Sequence, residues 1–237
     1  MKLALLNCDI VKPELRHIAG LYPDMFHQVA RDMIFDVFNI YENHFPKNVK
    51  DYDGYFVNGS SKSVYDDIPW IGRLKDFVQT IYKVNLRFAG ICFGHQMLAE
   101  ALGGKVNRAP SGWCVGAHEF EVIQQEDWMQ PFQSNFRVLM TCHDQILELP
   151  ENSTVLAKSS KCPVGLYRVG ENMLGIQGHP DFPRSYLTEL MKGRVELLGR
   201  KTFESGIRSM QQEIDSQVLF DWLRGFVEGK KSIKTKE

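Results

Sequence analysis

The stretch that most constrains this chain is LRFAGICFGHQMLAEALGG, residues 86–104. A short apolar run reads as a buried strand, and the segment after Cys92 reads as a helix closed by Gly103 and Gly104. Between them lies Gly-Ile-Cys-Phe-Gly, a cysteine with a glycine two positions away on either side. A strand that passes straight into a helix leaves the intervening residue on a sharp, strained turn. Bulky neighbours at i−2 and i+2 would collide there, which is the reason for glycines at a nucleophile elbow. With 19 glycines and five cysteines in 237 residues, chance supplies about 0.03 such matches.

Such a turn sets the thiol at a helix N-terminus, where the partial positive charge favours thiolate over thiol. Backbone N–H groups at the same turn are free to meet a developing oxyanion. The competing reading is a buried structural cysteine, since free Cys packs as a small hydrophobe. The elbow context favours the nucleophile.

The rest of the chain supplies a scaffold of matching type. KLALLN (2–7), FDVFNI (35–40) and GYFVN (54–58) read as strands. DMFHQVARDMIF (24–35) places Met25, Val29, Met33 and Ile34 on one helical face, with Asp24 as cap. PWIGRLKDFVQTIYKV (69–84) repeats apolar residues at helical spacing behind Pro69. This alternation predicts βαβ units and an α/β fold: an open, mainly parallel sheet flanked by helices. From about 104 to 177 the chain instead reads as short strands with turns, a β-rich segment in the second half. FPRSYLTELMKGRVELLG and DSQVLFDWLRGFVEG return to amphipathic helix. Without repeats or a long linker, residues 1–230 read as a single domain and 231–237 as a charged, disordered C-terminal tail.

Composition removes several classes of function. The formal net charge of −1 points to neither nucleic acid nor membrane as partner. Five cysteines without a CxxC pair argue against a disulfide framework or structural zinc, so neither metal nor cofactor is expected. The N-terminal LALL is too short for a signal-peptide core, and no run approaches a membrane span, so a cytoplasmic location is expected.

A nucleophilic thiol needs a base. His179, in GIQGHPDF, follows a strand and a glycine, which places it at the carboxyl end of the sheet, where ligands collect in open α/β folds. Asp181 lies two residues on and can orient the imidazole, so Cys92, His179 and Asp181 form an acyl-transfer constellation. His95 is expected to point along its helix, and His17, His27, His44 and His118 lie in less suitable segments. His143, in TCHDQI, stays open as a candidate. A third segment, DYDGYFVNGSSKSVYDD (51–67), carries a Gly-Ser-Ser turn whose N–H groups could complete an oxyanion hole, although on its own it reads better as an ordinary loop.

Taken in order, DGYFVNGSSKSVYDDIPWI, GICFGHQMLAEALGGKV and GIQGHPDF resemble the class I glutamine amidotransferase family, the type with a Cys-His-carboxylate triad. Free-standing members, γ-glutamyl peptidases among them, look most similar. The resemblance implies that Cys92 attacks the γ-carbonyl of a glutaminyl substrate to give a γ-glutamyl thioester. It implies His179 as base and then acid, Asp181 as orienting carboxylate, the N–H groups of Gly59 and Phe93 as oxyanion hole, and Gln96 as a contact for the substrate's amino-acid end. Two positions depart from the family pattern. Asp181 stands where the family usually has Glu, and the family's S-H-x-D-x-V appears as T-C-H-D-Q-I, which puts Cys142 or His143 at the usual histidine.

Four readings follow: an ammonia-releasing subunit for a synthetase in trans, a self-sufficient γ-glutamyl peptidase, a non-catalytic partner-binding module, and a redox-sensing thiol protein. The complete triad argues against the third. The fourth would be helped by a second cysteine near Cys92, and no neighbouring sequence position supplies one. The expected activity is hydrolysis of γ-glutamyl amide bonds in a small-molecule substrate, with the leaving group open.

Overall fold

A computed structural model describes residues 1–229, so the expected tail at 231–237 lies outside the described residues. Strand β1 (Leu3–Asn7) is buried along its whole length, as a continuous apolar run demands when both sheet faces are covered. The chain continues through α1 (Arg16–Ala19), α2 (Tyr22–Ala30), β2 (Phe35–Asn39), β3 (Gly54–Val57), α3 (Pro69–Lys83), β4 (Arg87–Ile91) and α4 (Phe93–Ala101). Next come the short strands β5 (Lys105–Arg108), β6 (Cys114–Val122), β7 (Asn135–Cys142), β8 (Asp144–Glu148), β9 (Ser153–Lys158), β10 (Leu166–Val169) and β11 (Met173–Ile176). Helices α5 (Arg184–Lys192), α6 (Val195–Leu198), α7 (Arg200–Ser209) and α8 (Ser216–Glu228) complete the described chain.

The main sheet runs β2-β1-β3-β4-β11-β10-β9-β6-β7. Its first five strands are parallel, and from β11 outward the pairing turns antiparallel. The β-rich segment is therefore an extension of one open α/β sheet, with β5 and β8 forming a separate two-stranded ribbon. Helices α2 and α8 cover one face through Phe26, Phe220 and Trp222, while α3 and α4 cover the other through Trp70, Leu74, Phe93 and Met97. Among the described residues no helix is long and apolar enough to cross a membrane.

Two helical expectations change. The helix expected over 24–35 spans Tyr22–Ala30 and stops at Arg31, whose φ of 49° cannot continue a helix. Ile34 is 81% exposed, off the expected apolar face, because the chain must straighten into β2 at Phe35. Asp24 sits inside the first turn, and its carboxylate accepts the Leu21 N–H at 2.7 Å, which satisfies one free donor of the helix start. The helical stretch expected over 182–199 is divided at Gly193 into α5 and α6, and α7 follows after Gly199, where no helix was expected.

Candidate active site

Cys92 has φ 52° and ψ −97°, a backbone conformation that costs a non-glycine residue about 1–3 kcal/mol. The surroundings hold it there. Its N–H donates to Ile176 O at 2.9 Å, tying the turn to the end of β11, and its carbonyl accepts Gln96 N–H at 3.0 Å, opening α4. The glycines are steric necessities: a Cβ at Gly90 would lie 2.3 Å from the Gly94 carbonyl oxygen, and one at Gly94 2.3 Å from that of Val57. Helix and sheet pack too closely here for any side chain.

β11 runs parallel to β4 with Ile176 opposite Ile91, so the residues that leave the two strands emerge side by side. That topology brings His179 to Cys92 across 87 positions of sequence. The His179 N–H donates to Leu139 O at 2.7 Å, which fixes the backbone of the turn against β7. Nδ1 lies 3.2 Å from Asp181 Oδ1, with both side chains buried. The imidazole stacks on Phe182, ring centroids 3.9 Å apart and planes 13° off parallel. Burial alone would push the imidazolium pKa down, but the charges of Cys92 and Asp181, each also hydrogen-bonded to the ring, raise it to about 10. The surroundings thus favour the charged form of the ring, with Asp181 against its Nδ1.

Cys92 opens into a cavity of about 270 Å³ whose walls include Gln96, Arg108, Trp113, Thr141, Cys142 and Arg194. The N–H groups of Gly59 and Phe93 make no hydrogen bond among the described residues, Phe93 being in the first turn of α4. Gln96 lines the cavity, yet its amide is engaged in the protein, donating to Asp144 O at 2.7 Å and Gln177 Oε1 at 3.1 Å. Its Oε1 alone is left for a ligand. Cys142 and His143 both reach the cavity; Cys142 is buried, and His143 stacks on Trp113 at 4.9 Å. A larger cavity, about 460 Å³, lies on the other side of Trp113 and holds none of the triad.

The other histidines stand apart. His95 is wholly buried, edge-on to Tyr167, with burial lowering its pKa to about 3, so it remains neutral. His118 is hydrogen-bonded to Val115 O at 3.1 Å. Sequence reasoning missed three neighbours of Cys92 and His179. Gln177 donates Nε2–H to Cys92 Sγ at 3.6 Å, Phe182 stacks on the imidazole, and Thr141 offers a buried hydroxyl without a hydrogen-bond partner. Gln177 and Phe182 flank the histidine in GIQGHPDF, so proximity in the motif was the available signal. Among the described residues no cluster suits a metal ion.

Residues 28–191 match the family profile "Glutamine amidotransferase class-I". The chain is 37% identical over 164 residues to gamma-glutamyl peptidase 4 of Arabidopsis thaliana, spanning 66% of this chain and 65% of that protein. It is 28% identical over 238 residues to gamma-glutamyl peptidase 3 of the same plant, covering 96% and 95%. The structure superposes on that of a glutamine amidotransferase from Thermotoga maritima with a TM-score of 0.73 at 21% identity, covering 95% and 98% of the two chains, a likeness of fold. The elbow, the parallel strand that delivers the histidine and the matched profile converge: this chain belongs to the class I glutamine amidotransferase family of amidohydrolases.

Proposed function

We propose that the protein hydrolyses γ-glutamyl amide bonds through a thioester on Cys92, and that it acts on γ-glutamyl peptides in preference to glutamine. The Cys92 thiolate attacks the γ-carbonyl, and the oxyanion is received by the N–H groups of Gly59 and Phe93. His179, protonated at the start, gives its proton to the departing amine. Once sulfur is acylated its negative charge is gone, and with it part of what holds the imidazolium charged. The neutral ring then takes a proton from the hydrolytic water, while Asp181 keeps Nδ1–H oriented. Asp181 is one methylene shorter than the usual Glu, and at 3.2 Å it still reaches the ring.

The observation that carries the peptide reading is the charge at the cavity mouth. Lys62, Arg108 and Arg194 line it, and none forms an ion pair among the described residues. The one acid there, Asp144, already accepts the Ser63 hydroxyl at 2.5 Å. The α-carboxylate that glutamine and γ-glutamyl peptides share needs one of these cations, and an amino acid or peptide leaving group brings a second carboxylate for the others, which ammonia does not. A charge-assisted hydrogen bond contributes roughly 1.5–3 kcal/mol, about ten- to a hundredfold in kcat/KM when made in the transition state. The test compares a γ-glutamyl dipeptide, its C-terminal amide and glutamine on the isolated protein. The expected order is free acid, then amide, then glutamine, with Arg194→Gln or Arg108→Gln erasing the first difference. Glutamine as best substrate, or negligible turnover rescued by a co-purifying synthetase, overturns the reading in favour of an ammonia-supplying subunit. The relatives include a GMP synthase of Aeropyrum pernix, 27% identical over 183 residues, which keeps that outcome in view.

A further inference from the structure

The second cysteine absent from the neighbouring sequence is present in space. Cys142 lines the cavity of Cys92, and both belong to one buried apolar cluster together with Cys114 and Cys162. Cys142 ends β7 directly opposite Cys114, the first residue of β6. The pair's register type follows from its neighbours. Arg137 and Leu139 turn their carbonyls away from β6, toward Asp215 N–H and His179 N–H, so the alternate positions, Cys142 included, are the hydrogen-bonded pairs with β6. In that register Cα atoms lie about 5.5 Å apart, inside the range a disulfide spans, while the Cβ atoms must draw together by about 1–1.7 Å. The outer edge of β7 is tied to Asp215 and His179 at Arg137 and Leu139, so the adjustment falls on its last residues, at Cys142.

The two thiols differ in acidity. Neighbouring Cys142, Lys161 and the Gln145 Nε2–H at 3.4 Å draw the Cys114 pKa down in spite of burial. Cys142 is driven the other way by Cys114 and by burial, with Cys92 adding to it. The acyl chemistry uses neither.

We propose that Cys142 and Cys114 are a resolving dithiol that rescues Cys92 after oxidation. A peroxide oxidises the Cys92 thiolate to the sulfenic acid and is itself reduced to the alcohol or water. The Cys142 thiol attacks that sulfur, forming the Cys92–Cys142 disulfide and releasing water. The Cys114 thiolate then attacks the Cys142 sulfur, forming the Cys114–Cys142 disulfide and expelling Cys92 as thiolate. Expulsion is favoured because the His179 imidazolium and the N-terminus of α4 receive the charge. A hydrogen-bonded cross-strand disulfide is strained, and strained disulfides are readily reduced, so a small thiol resets the pair.

The experiment treats the purified full chain with a slight excess of hydrogen peroxide, blocks remaining thiols with iodoacetamide, and maps the peptides by mass spectrometry. The expected product in the wild type is a Cys114–Cys142 disulfide with Cys92 alkylated. In Cys114→Ala, which leaves the cavity wall untouched, the relay should stop at Cys92–Cys142, and alkylation of Cys92 should fall at least tenfold until dithiothreitol restores it. Sulfinic acid on Cys92 at equal rates in both proteins refutes the proposal, as does a final Cys92–Cys142 disulfide in the wild type. The wild-type map alone decides if the variant misfolds. Because the readout is mass, it stands apart from the peptidase reading, which fails or survives on substrate turnover.

Discussion

Replacing Gly59 by alanine should disable the site by moving one ring. The Gly59 backbone is one an alanine can adopt, but the added Cβ would lie 2.5 Å from His179 Cε1. Ordinary carbon–carbon contact is about 3.5–4.0 Å, so roughly 1 Å of displacement is required. The imidazole has no room to retreat. Phe182 stacks on it at 3.9 Å, and its backbone is tied to Leu139 by a 2.7 Å hydrogen bond. A 1 Å misplacement of a catalytic group costs about a hundredfold, and overpacking of this size about 1–3 kcal/mol of stability. The assay is kcat on a γ-glutamyl anilide alongside thermal unfolding. Gly59→Ala should lose about a hundredfold in kcat while remaining folded, and adding Phe182→Leu should recover part of it by freeing space behind the ring. The N–H of residue 59 is kept throughout, so recovery points to the ring and not the oxyanion donor. A kcat within about threefold of wild type, or no response to Phe182→Leu, refutes the reasoning.

Cys92→Ser should lower turnover by several orders of magnitude, since serine lacks the thiolate's nucleophilicity, while Cys162→Ser keeps most of it; residual activity above a few per cent in the first variant counts against Cys92. The raised His179 pKa has a definite sign: the imidazolium that protonates the leaving amine is present below about 10 and lost above it, so kcat for the acylation step should fall on the alkaline side with an inflection near there. Asp181→Asn removes one of the two charges that raise it, so the inflection should move to lower pH, and an unmoved alkaline limb would show that Asp181 does not hold the ring. Asp181→Glu restores the charge and should bring the inflection back up.

Local pattern made much of this protein legible in one dimension. The buried strands, the Gly-x-Cys-x-Gly turn and the resemblance around Cys92 and His179 all depend on neighbours within a few residues, where sterics and hydrophobic periodicity act directly. Gly90 and Gly94 could be read as obligatory from the turn alone, and the clashes of 2.3 Å give the reason in space. Helix limits were less legible at Arg31 and Gly193, because the ends are set by where the next element must go. What depends on strand order could not be read at all. Nothing in TCHDQI says that Cys142 faces Cys114, since that follows from the register of β6 against β7. Likewise, Lys62, Arg108 and Arg194 come from three unrelated segments, and only the packing of their loops around one cavity turns scattered surface cations into a single charged mouth. Their long-range electrostatics are a property of distance in space, and the sequence records distance only along the chain.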